Sequence, residues 1–250
     1  MLRTVLALLL INRNRVVSLD SLIDELWGDD PRKSAVTTVQ TYIYHLRKHF
    51  VAQGIESPGE EILVSRPPGY MLLAEPRTID ADDFIRTVAR AHAELTSTRN
   101  PVTAARLLRH ALAMWTGPAF ANVTCGSELQ SYTAYLEEQH LRALQMRITA
   151  DMALGRHSDL IGELRTLVRS HPLNEWFHSQ LILALSRSGR RSEAIAAYQE
   201  LRTVLRENLG LDPSADVQRV LGELLSTGHQ HMTARPAAPR RIARSRLAAI

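Results

Sequence analysis

Between Ser34 and Phe50 the apolar residues Val36, Val39, Ile43, Leu46 and Phe50 return at intervals of three and four. That spacing predicts a helix with one buried stripe, so all five are expected to face a core. The opposite side carries Thr37, Gln40, Thr41, Tyr44, Arg47 and Lys48, with His45 at its edge. What surrounds this segment restricts the fold further. Upstream, Ser18 is placed to cap a helix whose Leu19, Leu22, Ile23 and Leu26 follow helical periodicity, with Val17 and Leu22 at the hydrophobic staple positions. That helix stops at Trp27-Gly28. Downstream, beyond a polar stretch over 52–61, Ile62-Leu63-Val64 and Tyr70-Met71-Leu72-Leu73 read as two strands joined through Arg66-Pro67-Pro68-Gly69. A first helix over 2–11 is apolar on nearly every side and must be covered on more than one face. Three helices followed by a hairpin, in that order, describe a winged helix.

From residue 80 onward the pattern is helical, broken at Asn100-Pro101, Gly117-Pro118 and His171-Pro172. Gly155-Arg156 and Gly189-Arg190 lie 34 residues apart, the tetratricopeptide period. Ala194 to Tyr198 after the second pair aligns with Leu160 to Leu164 after the first, which predicts stacked helical hairpins. The expected fold class is therefore mainly α: a winged helix-turn-helix with a C-terminal β-hairpin wing, then an all-α tetratricopeptide-like domain. The expected boundaries are 1–77, 78–227, and a disordered Arg/Pro/Ala tail over 228–250.

Charge narrows the function only once it is located. Residues 1–77 hold nine basic and nine acidic side chains, residues 78–227 sixteen and seventeen, and the tail five arginines and no acid, so the net charge of +4 resides in the tail. A nucleic-acid role must then rest on how one element arranges its charges. The single cysteine, Cys125, cannot form an internal disulfide and fits a reducing cytosol as a structural thiol. The apolar start runs into Asn12-Arg13-Asn14-Arg15 without a cleavage site, unlike a secretory signal, and no segment has the length of a membrane span.

The polar flank of the third helix is the principal candidate site. A helix fits the major groove, where Thr37, Gln40, Thr41, His45 and Arg47 can reach base edges while Lys48 and Tyr44 bond phosphates. Such a face is by default merely solvated, but the capped helix before it and the hairpin after it form a scaffold that aims it outward. Arg66, at the hairpin turn, can serve a wing that reaches the adjacent minor groove or a phosphate, and the helix amides after Ser18 can receive a phosphate. No sequence motif for metal-dependent hydrolysis, phosphate cradling, dinucleotide binding or a nucleophile elbow occurs, so neither catalytic residues nor a cofactor are expected. His157, His171 and His178 lack a metal-ligand spacing and read as surface or packing residues; Trp115, Trp176, Tyr132 and Tyr135 read as core.

Several stretches resemble the Streptomyces antibiotic regulatory protein family. They are Arg15 to Ser18, Leu22 to Pro31, Thr38 to Ile43 with Leu46-Arg47, the wing Arg66 to Leu72, and downstream Met114 to Ala119, Ser188 to Ala194 and Leu209 to Pro213. The resemblance implies an OmpR-type winged helix that binds direct repeats in double-stranded promoter DNA. The helical bacterial transcriptional activation domain behind it would support homodimerisation and contact RNA polymerase holoenzyme at antibiotic or other secondary-metabolite genes. It implies a cytoplasmic, nucleoid-associated protein without a membrane partner. Members of that family usually begin with a small β-sheet before the first helix, whereas this chain starts inside that helix. The expectation is either an upstream start or a helix left with one apolar face uncovered. A different reading is a helical-repeat scaffold whose winged helix contacts protein, which the even charge balance of 1–77 leaves open.

Overall fold

Helix α1 (Leu2–Ile11) is apolar around most of its circumference because it is covered from two directions. The computed structural model describes residues 1–55, 61–75 and 79–230, and the chain divides into two units, Met1–Leu154 and Gly155–Ile250. On one side α1 packs against α2 (Leu19–Trp27) and α3 (Ala35–Ala52). Val5, Leu8 and Leu9 join Leu22, Leu26, Val39, Ile43, Leu46 and Phe50 in one core. On the other side α1 meets α6 (Ser127–Ala153), and the Thr4 hydroxyl donates to the carbonyl of Thr124 at 3.0 Å. Helix α6 thus covers part of the face that α1 turns away from α2 and α3, while Leu2 stays exposed.

Helix α2 starts where its sequence predicts. Ser18 is extended, and its hydroxyl accepts the amide of Ser21 at 3.0 Å. Val17 and Leu22 are both buried in the core, which closes the staple. In α3 the periodic reading erred at one residue. Val36 is 44% exposed and Ala35 takes the core position at 4%, because Ala35 stands four residues before Val39 and Val36 only three, on the outer edge of the first turn.

The wing is part of a three-stranded antiparallel sheet, ordered β1 (Val17–Ser18), β3 (Gly69–Leu72), β2 (Leu63–Arg66). Two strands were expected; β1 had been visible only as a staple residue and a cap. Its register places Ser18 opposite Gly69, where a Cβ would stand 1.9 Å from the Val17 carbonyl oxygen. Only glycine permits that approach. Asn14, at φ +61, holds the far end of β3: its amide donates to Leu72 at 2.8 Å, and its side chain bonds Ala74 in both directions.

The same unit continues through α4 (Asp80–Thr96), α5 (Pro101–Leu112) and α6. Asn100 caps α5 by accepting the Thr103 amide at 3.0 Å, with Pro101 in the first turn. Phe84, Val88, Ala91, Leu108 and Ala143 form a second core. Asp151, buried in α6, is shared by the guanidinium groups of Arg109 and Arg147. The winged helix is fastened to these helices by the buried carboxylate of Glu25, which accepts the amides of Glu128 at 2.9 Å and Leu129 at 3.3 Å. Gly126 precedes them with no side chain to cap the helix. An ion pair between Arg13 and Asp82 adds a further tie.

In the second unit α7 (His157–Ser170), α8 (Glu175–Arg187) and α9 (Arg191–Leu209) pack successively, and α10 (Ala215–Gln230) lies on α8 and α9. Gly155 and Gly189, the residues that set the period, share left-handed φ values of +77° and +76°. Each permits the sharp turn into the next helix. Ala194 and Tyr198 and their counterparts Leu160 and Leu164 are buried as aligned. His178 is buried with its Nε2 3.0 Å from the Pro172 carbonyl, a packing role. Helix α10 extends past Gly228, where the tail was expected to begin; the remainder of that expectation, 231–250, lies outside the described residues. Among the described residues no helix is long and apolar enough to cross a membrane, and no cluster of three or more His, Cys, Asp or Glu could hold a metal ion.

Candidate nucleic-acid interface

Ala35, Val39, Ile43, Leu46 and Phe50 fix the rotation of α3 by burying its back. A helix has one rotation that satisfies five such contacts, and it leaves the polar flank outside. Thr37, Gln40, Thr41, Tyr44, His45 and Lys48 are all exposed, Tyr44 by 61%. They form one continuous strip of side chains at helical spacing. The Thr41 hydroxyl donates to the Thr37 carbonyl at 2.8 Å, so it can accept but has already spent its proton. Tyr44 and His45 meet edge to face at 5.6 Å, which restrains both rings. The Gln40 amide and Lys48 ammonium extend into solvent without an ion pair or side-chain hydrogen bond among the described residues.

Arg47 does something other than the sequence reading gave it. Its Nε donates to the Leu63 carbonyl at 2.9 Å and its Nη2 to the Ser65 hydroxyl at 3.0 Å, so this half-buried guanidinium clamps β2 to α3. The clamp sets the wing's position beside the helix and restricts what Arg47 can offer a base. Arg66 is exposed at the end of β2, next to the Pro67-Pro68 turn. Ser18 sits farther back. Its hydroxyl is used by the Ser21 amide, and the Leu19 amide donates to the Pro68 carbonyl at 3.2 Å. Two of the first three amides of α2 are thus already occupied by the chain, which narrows the space for a phosphate there.

Two exposed cations were missed. Arg32 and Lys33 stand in the turn directly before α3, unpaired among the described residues. Lys33 precedes Thr37 by four residues, so the signal was present: continuing the polar strip one turn upstream reaches it. Glu25 was also missed, because its partners lie more than a hundred residues away and leave no local trace. Trp115 and Tyr132, read as core, are only half-buried, and Tyr135 is exposed. The first two face an open cavity.

Comparison with known proteins supplies the context for this geometry. Residues 2–72 match the family model described as transcriptional regulatory protein, C terminal, and residues 79–225 match the bacterial transcriptional activator domain. The chain is 37% identical over 233 residues to the regulatory protein DnrI of Streptomyces peucetius, covering 89% of this chain and 83% of that protein. It is 34% identical to the transcriptional regulator RedD of Streptomyces coelicolor, covering 90% of this chain and 63% of RedD. Among solved structures it is similar to Mycobacterium tuberculosis EmbR in complex with a low-affinity phosphopeptide. That comparison has a TM-score of 0.82 and 33% identity, and covers 90% of this chain and 59% of EmbR. An OmpR-type winged helix followed by an activator domain, matched in that order and alongside DnrI and RedD, is the architecture of transcriptional regulators, and the chain belongs to the Streptomyces antibiotic regulatory protein family.

Proposed function

We propose that the chain activates transcription by placing α3 in the major groove of promoter DNA, with the wing on the flanking backbone. One observation carries this reading: the strip from Thr37 to Lys48 is exposed along its whole length, while the opposite face of the same helix is buried. Gln40 and Thr41 suit base edges, Gln40 through its two-sided amide. Lys48, Arg66, Arg32 and Lys33 suit phosphates, which position the helix without reading sequence. Arg47 serves both ends by holding the wing in register with the helix.

Two protomers bind direct repeats spaced by about one turn, roughly 10 to 10.5 base pairs, so that both α3 helices approach one side of the duplex. The region over 78–227 supports the homodimer and contacts RNA polymerase holoenzyme, and the regulated genes belong to antibiotic or other secondary metabolism. Supporting the division of labour is the split of the two matched family models near residue 78.

Gel-shift titration on promoter fragments tests the proposal. Removal of residues 228–250 should leave specific binding intact, and a Gln40→Ala, Thr41→Ala double variant should abolish the preference for the promoter. Binding that disappears with the tail and ignores the α3 variant would instead identify a scaffold whose winged helix faces protein.

A further inference from the structure

A cavity of about 300 Å³ lies within the Met1–Leu154 unit, between the end of α1 and the helices α4 and α6. Its volume stands at the lower end of small-molecule sites, roughly 300 to 1,000 Å³. Two aromatic walls line it. Phe84 meets Trp115 edge to face at 5.6 Å, and Phe120 lies 6.2 Å from Tyr132. Protein cores are close-packed, so rings bordering open space are missing neighbours that a ligand could supply. Phe120 has φ +54°, a left-handed backbone that bulky residues rarely hold. Such conformations gather at ligand clamps, where surrounding structure enforces them.

The rim specifies the polar side of the occupant. Arg13 can only donate, Asp80 can only accept, and the Tyr132 hydroxyl does both. Arg13 is already paired with Asp82, so the rim offers no unmet cation and disfavours an anionic molecule. We propose that this cavity is an effector site for an uncharged aromatic small molecule carrying a hydroxyl donor and a carbonyl acceptor. Burial, then the nearby Asp82 carboxylate, raise the Tyr132 phenol above its ordinary value against the opposing pull of Arg13, so the hydroxyl keeps its proton. Leu10, Ile11 and Arg13 belong to the winged helix, whereas the aromatic walls come from α4, α6 and the segment that joins α5 to α6. An occupant therefore touches both, beside the Arg13–Asp82 ion pair and the bond from Asn12 to Glu128.

The test uses the full chain without DNA, so its result is independent of the DNA-binding proposal. The probe is 2-hydroxyfluorenone, a flat three-ring ketone, titrated while following its fluorescence and induced circular dichroism. Saturable one-to-one binding is expected. Ala119→Trp, which fills the cavity, and Phe120→Gly, which removes one wall at a backbone position suited to glycine, should each weaken it at least tenfold. Tyr44→Ala, on the α3 strip, should bind as the unaltered chain does. If Ala119→Trp does not fold, Phe120→Gly alone decides. Non-saturating uptake, or saturable binding that Phe120→Gly leaves unchanged, would overturn the assignment.

Discussion

Replacing Glu25 by alanine should destabilise the first unit more than any surface substitution, through a contact that spans about a hundred residues. The Glu25 side chain is only 6% exposed, and its carboxylate accepts the amides of Glu128 at 2.9 Å and Leu129 at 3.3 Å. These are among the first amides of α6, which have no carbonyl partner within their own helix. Gly126 provides no side-chain cap, so Glu25 acts as the cap from another element. A hydrogen bond to a charged group contributes about 1.5 to 3 kcal/mol, the longer bond less. The positive end of the helix macrodipole adds about 0.3 to 1 kcal/mol. Glu25→Ala should therefore cost about 2 to 6 kcal/mol, a large fraction of a domain's usual 5 to 15 kcal/mol. Glu25→Gln retains one acceptor oxygen and should cost about half as much. Gly126→Ala attacks the same contact from the other side, since its Cβ would stand 2.3 Å from the Glu25 carbonyl oxygen. Denaturant titration gives the global loss, and hydrogen exchange at the Glu128 and Leu129 amides gives the local one, expected to accelerate about tenfold or more. A Glu25→Ala loss within about 0.5 kcal/mol, with unchanged exchange at both amides, would refute the reasoning.

Asp151→Ala removes the carboxylate shared by Arg109 and the buried Arg147, and should cost about 3 to 5 kcal/mol by denaturant titration. His178 is held below its ordinary value of 6.5, first by burial, with its bond to Pro172 and the carboxylates of Glu200 and Glu175 opposing. The unfolded chain then binds the proton more readily, so stability should fall as pH drops below 6.5. His178→Gln should flatten that dependence in a series of denaturation midpoints against pH; an identical slope in both proteins would exclude His178 as its source. Lys48→Ala should lower the salt slope of DNA binding by about one unit, measured as affinity against salt concentration.

What the sequence disclosed follows from where each signal is stored. The cap at Ser18, the staple of Val17 and Leu22, the buried stripe of α3 and the 34-residue period of Gly155 and Gly189 are local or periodic patterns, and all appear in the structure. Val36 was misplaced because a spacing of three and one of four are both helical, and only the partner elements decide between them. The β1 strand is two residues long, too short for alternation to register. Glu25, the Arg47 clamp and the cavity beside Trp115 depend on residues distant in the chain, so nothing in their neighbourhoods announced them. The same holds for the contact between α1 and α6. For the candidate site, residue types and their shared face were legible; which of them are free to reach a ligand was not.

The central claim is that the exposed flank of α3 reads bases. Selection from a randomised duplex pool, performed in parallel on the unaltered chain and on Gln40→Ala, tests it most directly. The variant should lose discrimination at one base pair of each repeat, by about 1 to 3 kcal/mol, and keep it elsewhere. Identical preferences at every position would contradict it.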